Sequence, residues 1–249
     1  MSDFRETCAS LWARASVRLR REAILADPLA RRLFEACAAV DASAIRARPV
    51  AESRFVALDL ETTGLHPYLG DEILSLSLIE LQGLAFTGRH YTTLIDPGRP
   101  IPPEASAIHG IVTADVRHAP AIDAVLPEVI AFLGSGILIA HHANFDLRFL
   151  NKQLQRRAAI TLKNPWIDTM LLHGAWRGGQ KHHSLDEVAE KCGIPVGEDR
   201  HNARRDAELA GKIVRFLAPR LLTDTDEAVG RLIDCQFHHH EHTPTALGG

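Results

Sequence analysis

At Arg54 the hydrophobic pattern of this chain changes from the spacing of helices to the spacing of strands. Residues 55–60 form an apolar run with the length and composition of a buried β-strand. Segments 73–81 and 84–95 alternate between apolar and polar residues, and Gly83 between them favours a hairpin turn. The α/β part of the chain is therefore expected to begin with a three-stranded meander.

Strand and helix patterns alternate in the residues that follow. Two more short strands are predicted, one at 136–140 and one ending at Ile167-Asp168. Helical spacing predicts helices at 125–133, 144–154, 184–192 and 204–217, the last ending before Pro219. Three meandering strands followed by strands that alternate with helices predict an α/β fold, with a mixed five-stranded sheet flanked by helices.

Residues 1–50 precede this domain and are predicted to form a helical N-terminal extension. Asp27 and Pro28 suit the start of its second helix. An apolar stripe at four-residue spacing crosses this helix at Leu25, Leu29, Leu33 and Cys37. The first helix is rich in arginine. Two interpretations stay open, an amphipathic pair packed on the main domain and a contact surface for a partner or nucleic acid.

The pattern weakens again at the other end of the chain. From about Thr223 the periodicity fades, and the chain ends in a histidine-rich run followed by small residues. We expect residues 223–249 to form a flexible C-terminal tail. The predicted organisation is thus an extension at 1–50, an α/β domain at 51–222 and this tail.

Composition narrows the classes of function. With 46% hydrophobic and 24% charged residues, the 249-residue chain has enough apolar surface for one buried core. No window approaches the roughly 20 apolar residues of a membrane span, and residues 1–12 lack the pattern of a signal peptide. No membrane association is therefore expected. The net charge of -3 decides nothing about nucleic acid, because a carboxylate site for phosphodiesters is locally acidic.

The cysteines indicate a cellular compartment. The four cysteines are scattered and form no CxxC pair, a pattern that favours neither a zinc site nor a disulfide framework. They are Cys8, Cys37, Cys192 and Cys235. This usage indicates a reducing environment, and we expect the protein to be cytoplasmic.

Two carboxylates follow one another at the end of the first predicted strand. Residues two apart on a strand point to the same face, so Asp59 and Glu61 would lie side by side. Adjacent carboxylates repel unless they share a cation. Taken alone, the pair is explained equally well by a solvated strand end.

Two further acidic residues stand at predicted helix starts. Asp146 falls in the first turn after the strand at 136–140, at the sheet edge where α/β proteins build their sites. His201 and Asp206 would lie about 140° apart on one helix. If the two act together, His201 must precede the helix, with Asn202 as its cap. Alone, each fragment also fits an ordinary surface or helix-terminal residue.

Together these fragments resemble the DEDD exonucleases, in the branch that uses a histidine. The resemblance covers roughly residues 54–218 and is strongest to the proofreading epsilon subunits of bacterial DNA polymerase III. The matching motifs are Phe55–Leu65, Ile108-His109-Gly110-Ile111, His141–Asp146, Asp168-Thr169 and His201-x-Ala203-x-x-Asp206. One departure is His142, which stands where the family usually has asparagine.

The resemblance implies a ribonuclease H-like fold and a site for two Mg²⁺ or Mn²⁺ ions, which prefer carboxylate oxygen. The implied metal ligands are Asp59, Glu61, Asp146 and Asp206. His201 is the implied general base, since its ordinary pKa of about 6.5 suits proton transfer near neutral pH. The candidate substrate-binding residues are Thr62, Thr63, Gly64, Leu65, Phe145 and His109. His109 is expected to lie in a small loop.

Three functions are compatible with these features. The first is a 3′→5′ exonuclease acting on single-stranded or frayed DNA, with proofreading or repair as its setting and a DNA polymerase as a candidate partner. The second is an RNA exonuclease, although no residue identifies itself as a reader of the 2′-hydroxyl. The third is a non-catalytic module that binds nucleic acid or a polymerase. The third predicts the loss of a metal ligand, and all four carboxylates are present.

Overall fold

The computed structural model describes residues 21–178, 182–197 and 202–237. The chain begins with the helices α1 (Arg21–Leu25), α2 (Pro28–Ala38) and α3 (Ala42–Arg46), followed by a 3₁₀ turn at Val50–Glu52. The central elements are β1 (Arg54–Thr62), a 3₁₀ turn (Pro67–Leu69), β2 (Ile73–Gln82), β3 (Ala85–Leu94), α4 (Pro103–His109), α5 (Thr113–Val116), α6 (Ile122–Leu133) and β4 (Ile137–Ala140). The last are α7 (Ala143–Ala158), β5 (Trp166–Asp168), α8 (Thr169–Arg177), α9 (Leu185–Lys191), α10 (Ala203–Leu221) and α11 (Val229–Cys235).

The strands form one five-stranded sheet in the order β3-β2-β1-β4-β5. β2 pairs antiparallel with β1 and β3, whereas β4 runs parallel to both β1 and β5. The mixed five-stranded sheet flanked by helices is therefore confirmed. β1 lies at its centre because its apolar run is buried on both faces.

The alternation of side chains along β1 divides the core into two layers. Phe55 and Ala57 point into the layer that contains the apolar face of α10, and Val56 and Leu58 point into the layer formed with α6 and α7. Gly211 lets α10 come close to the sheet, because a Cβ there would lie 3.5 Å from Ala57 Cβ and 3.0 Å from the Phe86 ring. The α10 side of β1 is the side to which Asp59 belongs.

The N-terminal helices cover part of the α6 and α7 layer. Asp27 caps α2 and Pro28 is its first residue, as predicted. Leu33 and Cys37 are buried in the layer with α6 and α7, so the same chain covers the predicted stripe. Leu25 ends α1 instead of extending α2, because Asp27 starts a new helix. The arginine-rich part of the first predicted helix, at 11–20, lies outside the described residues.

The predicted flexible tail is wrong for residues 223–237. α11 lies in this segment, and Leu232 and Ile233 are buried in the same layer as α10. Arg46 donates to Asp234 at 2.7 Å, which ties the segment to α3. A helix of seven residues is too short to show clear periodicity, so only packing against the rest of the chain reveals it. The histidine run lies outside the described residues.

Two other helix boundaries differ from the prediction. α10 continues through Pro219, which lies in its last turn, so the one ladder bond that Pro219 cannot donate is lost close to the end of the helix. Residues 103–109 form α4 with Pro103 at its first position, so His109 ends a helix instead of lying in a loop. Over the described ranges, none of the helices has both the length and the apolar character that crossing a membrane requires.

Candidate active site

Three acidic side chains converge where β1 ends. Asp59, Glu61 and Asp206 each offer one carboxylate oxygen, and these oxygens lie within 4.8 Å of one another. Asp59 and Glu61 share a face of β1 because they are two residues apart. Asp206 lies in the first turn of α10, whose N-terminus is capped by the Asn202 side chain, as predicted. The structure thus brings together three of the four predicted metal ligands in one cluster.

The fourth predicted ligand, Asp146, approaches from the other helix layer. It lies in the first turn of α7, as predicted, and is 2% exposed. The backbone N–H of Leu60 donates to its carboxylate. That N–H lies beyond the ladder between β1 and β4, which ends at the pair Ala57 and Ile139. The early end of this parallel ladder leaves the edge of β1 open to Asp146.

The burial and mutual repulsion of these carboxylates disfavour their charged forms. Burial, followed by repulsion from Asp146, Glu61 and Asp206, raises the pKa of Asp59 well above its usual value. Burial also raises the pKa of Asp146. The pKa of Glu61 is raised to about 7 by burial and then by Asp206.

Such a donor set suits divalent cations. Convergent carboxylate oxygens are the ligands that Mg²⁺ and Mn²⁺ prefer. A bound cation would stabilise the charged carboxylates against both burial and mutual repulsion, the two causes of the raised pKa values. The residues of the cluster therefore fit the metal ions that the sequence implies.

Asp168 holds the start of α7. Its carboxylate accepts the N–H groups of His142 at 3.3 Å and Ala143 at 3.0 Å, and it also caps α8 through Met170. His142 has a φ of 55°, in the left-handed region that asparagine tolerates well. His142 thus adopts a left-handed backbone at the position where the family usually has asparagine.

His141 is a neutral, internally bonded histidine. Its Nε2 lies 2.9 Å from the carbonyl oxygen of His183 and must donate, so Nδ1 accepts from the Thr169 hydroxyl at 2.8 Å. Burial, with a smaller contribution from His142, lowers its pKa to about 4. Both ring nitrogens are engaged in hydrogen bonds, so His141 supports the turn before α7.

The loop after β1 is organised by Asp71. The Thr63 hydroxyl donates to Asp71 at 3.2 Å and accepts the N–H of Glu72 at 3.0 Å, while the Thr62 hydroxyl donates to the carbonyl of Gly64 at 2.7 Å. A Cβ on Gly64 would lie 2.4 Å from an Asp71 oxygen, so a larger residue there would displace the Asp71 carboxylate. Both threonine hydroxyls therefore shape the loop in the free protein.

The remaining predicted substrate residues lie in different surroundings. Leu65 is 67% exposed at the tip of the loop, which rules out a core role for it. Phe145 is half-buried and packs against Phe149 at 5.0 Å between ring centroids. The Nδ1 atom of His109 accepts the N–H of Ile111 at 3.1 Å. His201 lies outside the described residues.

Two residues of the site were missed by the sequence patterns. A cleft of about 140 Å³ opens beside the carboxylates and is lined by Asp59, His141, Ser184, Leu185, Asp186, Arg205 and Asp206. Arg205 and Asp186 form an ion pair there at 3.1 Å. They are 19 residues apart in the sequence, and no local pattern links them.

This sheet order, with carboxylates clustered at the end of its central strand, defines a ribonuclease H-like nuclease fold. Residues 56–214 match the family model of the RNase T type, described as exonuclease. The chain belongs to this exonuclease family, within the DEDD group.

Relatives and solved structures agree with this assignment. The chain is 38% identical over 181 residues to a DNA polymerase III subunit epsilon-like protein of Rhodobacter capsulatus, with 72% of this chain and 26% of the relative covered. It is 32% identical to DNA polymerase III subunit epsilon of Aquifex aeolicus, over 65% of this chain and 79% of that protein. A structure of exonuclease X in complex with 5′ overhanging duplex DNA matches at 25% identity and a TM-score of 0.53, over 74% of this chain and 98% of that one.

The lengths of these relatives differ widely. The chain spans about a quarter of the Rhodobacter protein, and 12% of a PolC-type DNA polymerase III from Thermotoga maritima. The similarity therefore concerns only a part of those longer proteins.

Proposed function

We propose that this protein is a 3′→5′ exonuclease that hydrolyses phosphodiester bonds at the 3′ end of DNA and releases nucleoside 5′-monophosphates. The observation that carries the proposal is the carboxylate cluster of Asp59, Glu61 and Asp206 with Asp146 beside it. DNA is supported as the substrate by the names of the relatives, which refer to a subunit of DNA polymerase III, and by the DNA complex of exonuclease X.

The carboxylates would hold two Mg²⁺ or Mn²⁺ ions. When bound, such ions lower the pKa of water and stabilise negative charge on the attacking and leaving oxygens. Asp59 has the most neighbours of like charge and would be the ligand that both ions share. Glu61 and Asp206 would complete one ion site, and Asp146 would support the other.

The chain's own residues would position the substrate and move the proton. His201, which directly precedes the helix cap Asn202, would accept the proton of the attacking water. The loop Thr62–Leu65 and Phe145 would receive the terminal nucleotide, with exposed Leu65 packing on an unstacked base. His109 would contact the strand from α4. Because these contacts need an unpaired terminal base, single-stranded or frayed ends are the expected substrates.

Association with a DNA polymerase belongs to the same proposal. It is supported by the relatives, which carry the names of polymerase III subunits. Proofreading and repair are both settings in which a frayed 3′ end is removed. A cytoplasmic location stays a prediction.

Digestion of matched oligonucleotides tests the proposal. Single-stranded DNA and RNA of one sequence, labelled at the 3′ or the 5′ end, would be incubated with Mg²⁺ or Mn²⁺ and with a chelator. We expect immediate release of labelled mononucleotide from 3′-labelled DNA, a ladder from 5′-labelled DNA and no cleavage with the chelator. Mononucleotide released first from the 5′ label would contradict the polarity. Preferential digestion of RNA would favour the exoribonuclease alternative.

A further inference from the structure

Arg205 directly precedes the predicted metal ligand Asp206 and contacts three parts of the chain. Its Nη1 donates to Asp206 Oδ1 at 2.6 Å. Its Nη2 donates to Asp186 Oδ1 at 3.1 Å and, more weakly, to the carbonyl oxygen of Gly197 at 3.4 Å. One guanidinium group thus joins three places in the chain. They are the first turn of α9, the first turn of α10, and Gly197 in the loop between them.

We propose that Arg205 is a positioning residue that holds the Asp206 carboxylate in the orientation needed for metal binding. The inference rests on the proposed function, in which Asp206 is a metal ligand. Arg205 itself binds neither metal nor substrate in this assignment. It acts through Asp206, and Asp186 acts through Arg205.

The contact between the consecutive residues Arg205 and Asp206 requires a further partner that holds the arginine in place. Successive side chains on a helix point about 100° apart and do not normally face each other, so Arg205 must bend toward Asp206. Asp186 on α9 is this partner, because it holds the opposite side of the guanidinium. The planar, rigid fork of arginine suits two carboxylates at once, which the single ammonium of lysine does not.

Burial makes these ion pairs stronger than ordinary surface pairs. The side chains of Arg205, Asp186 and Asp206 are 18%, 17% and 11% exposed. Such pairs are less screened by water and salt than exposed ones. The bond to Arg205 also opposes the repulsion that would turn Asp206 away from Asp59 and Glu61, the other members of the cluster.

The neighbouring arginine provides a matched control. Arg204 is exposed and lines a separate groove with Ile79, Phe86, His90 and Glu208. An arginine removed at 204 or at 205 changes the net charge of the chain equally. Only the change at 205 removes the bonds to Asp206 and Asp186, so the difference between the two variants isolates positioning from overall charge.

The test compares R205M, R205K, D186N and R204M in the full chain. Binding of Mn²⁺ alone is measured by calorimetry or by the electron paramagnetic resonance of free Mn²⁺, and kcat and KM are measured with a 3′-labelled oligonucleotide. Loss of a partner that orients a metal ligand typically costs about 10–100-fold in metal affinity or activity. We expect R205M to weaken Mn²⁺ binding by about that factor and to leave KM unchanged at saturating Mn²⁺.

The other variants sharpen the comparison. R205K should recover part of the Mn²⁺ affinity, and D186N should weaken binding in the same direction but less. The double variant D186N/R205M should bind Mn²⁺ no more weakly than R205M alone. Both changes act through the same chain of contacts from Asp186 through Arg205 to Asp206, so their effects should not add. R204M should bind Mn²⁺ as the unaltered protein does. If thermal melts show that R205M does not fold, R205K and D186N decide the question.

Three results would overturn the inference. Tighter Mn²⁺ binding by R205M would mean that the arginine acts as a competing cation. Unchanged Mn²⁺ binding with a raised KM would make Arg205 a substrate contact. Equal effects of R204M and R205M would reduce the role to overall charge. If the unaltered protein bound Mn²⁺ but cleaved no nucleic acid, the proposed function would fail while the binding comparison still decided the role of Arg205.

Discussion

At the scale of single residues, the four carboxylates of the site are held by different means. Asp59 and Glu61 are fixed by the pleat of β1, Asp206 by the ion pair with Arg205, and Asp146 by the backbone N–H of Leu60. All three means are present before any cation binds. The cluster is therefore preorganised, at the expense of the burial and mutual repulsion that raise the pKa values of Asp59, Glu61 and Asp146.

Replacement of Asp59 and of His201 should separate the roles of metal ligand and general base. D59A should abolish cleavage and Mn²⁺ binding, because Asp59 is the proposed shared ligand. H201A should lower kcat by roughly 10²–10⁴-fold, the usual cost of losing a general base, and leave Mn²⁺ binding intact. Calorimetric titration with Mn²⁺ and single-turnover kinetics would check both. Loss of Mn²⁺ binding in H201A would contradict the role assigned to the histidine.

The raised pKa of Glu61 makes stability depend on pH in the absence of metal. The folded protein keeps the Glu61 proton up to about pH 7, whereas the unfolded chain releases it near the usual value of 4.5. The folded state binds more protons in this window, so its stability falls as the pH rises through it. We expect the free energy of unfolding to fall by on the order of 2 kcal/mol between pH 5 and 8 from this group.

Chemical denaturation of metal-free protein at several pH values would measure this effect. The variant E61Q is the control, because it cannot titrate and should show a flatter dependence on pH. Added Mn²⁺ should stabilise the unaltered protein more at pH 8 than at pH 6. At pH 6 the ion must displace the proton of Glu61, whereas at pH 8 this carboxyl group is already ionised. Parallel pH profiles for E61Q and the unaltered protein would argue against the raised pKa.

At the scale of elements, the C-terminal segment completes the edge of the sheet beside the site. The Gln236 side chain accepts the N–H of Asp168 at 2.8 Å and donates to the carbonyl of Trp166 at 3.0 Å. A side-chain amide thus takes the place of a neighbouring strand along β5. Since Asp168 holds the start of α7, this contact supports the element that carries Asp146.

The variant Q236A should therefore be clearly less stable than the unaltered protein. It leaves a buried N–H and a carbonyl unpaired, which costs about 1–3 kcal/mol. Q82A is a suitable control, because exposed Gln82 also bonds a backbone carbonyl, that of Glu52 at 3.0 Å. Urea denaturation of both variants would compare the two losses. Equal, small losses would mean that Gln236 is not needed to complete β5.

At the scale of the whole molecule, the segments on either side of the exonuclease domain pack on it and on each other. Val50 donates its N–H to the Glu227 carbonyl at 3.0 Å, and Val229 donates to the Arg48 carbonyl at 2.7 Å. α2 covers α6 and α7 with Leu33. The extension and the C-terminal segment are therefore parts of one packed unit among the described residues.

Loss of the N-terminal helices should destabilise this unit. A chain that starts at Ala51 would expose the apolar surface under α2, where each buried leucine is worth roughly 1.5–3 kcal/mol. In the full chain, L33A should cost about 2–5 kcal/mol, whereas R32A on the exposed side of α2 should cost little. Thermal melts would compare the three proteins.

The arginine-rich start of the chain predicts a second effect of the truncation. We expect affinity for long single strands to fall more than affinity for dinucleotides, because backbone contacts accumulate with length. Binding assays with oligonucleotides of two lengths would measure the difference. A truncated protein with the same melting temperature and the same affinities would contradict both proposed roles of the extension.

The sequence alone determined the features that depend on neighbouring residues. The pleat of β1 pairs Asp59 with Glu61, and the Asn202 cap places Asp206 in the first turn of α10. These follow from local periodicity and capping, which a short window of sequence contains. The order of the strand and helix patterns was also enough to predict the mixed five-stranded sheet.

Only the tertiary structure decided the contacts between segments that are distant in sequence. Asp146 reaches the cluster because the parallel ladder of β1 and β4 ends at Ala57, and a parallel register leaves no mark in either strand's own pattern. Arg205 meets Asp186, and Gln236 meets β5, through packing of whole helices. Such contacts depend on how the helices and the sheet pack against each other. They therefore cannot be predicted from the periodicity or capping of single segments.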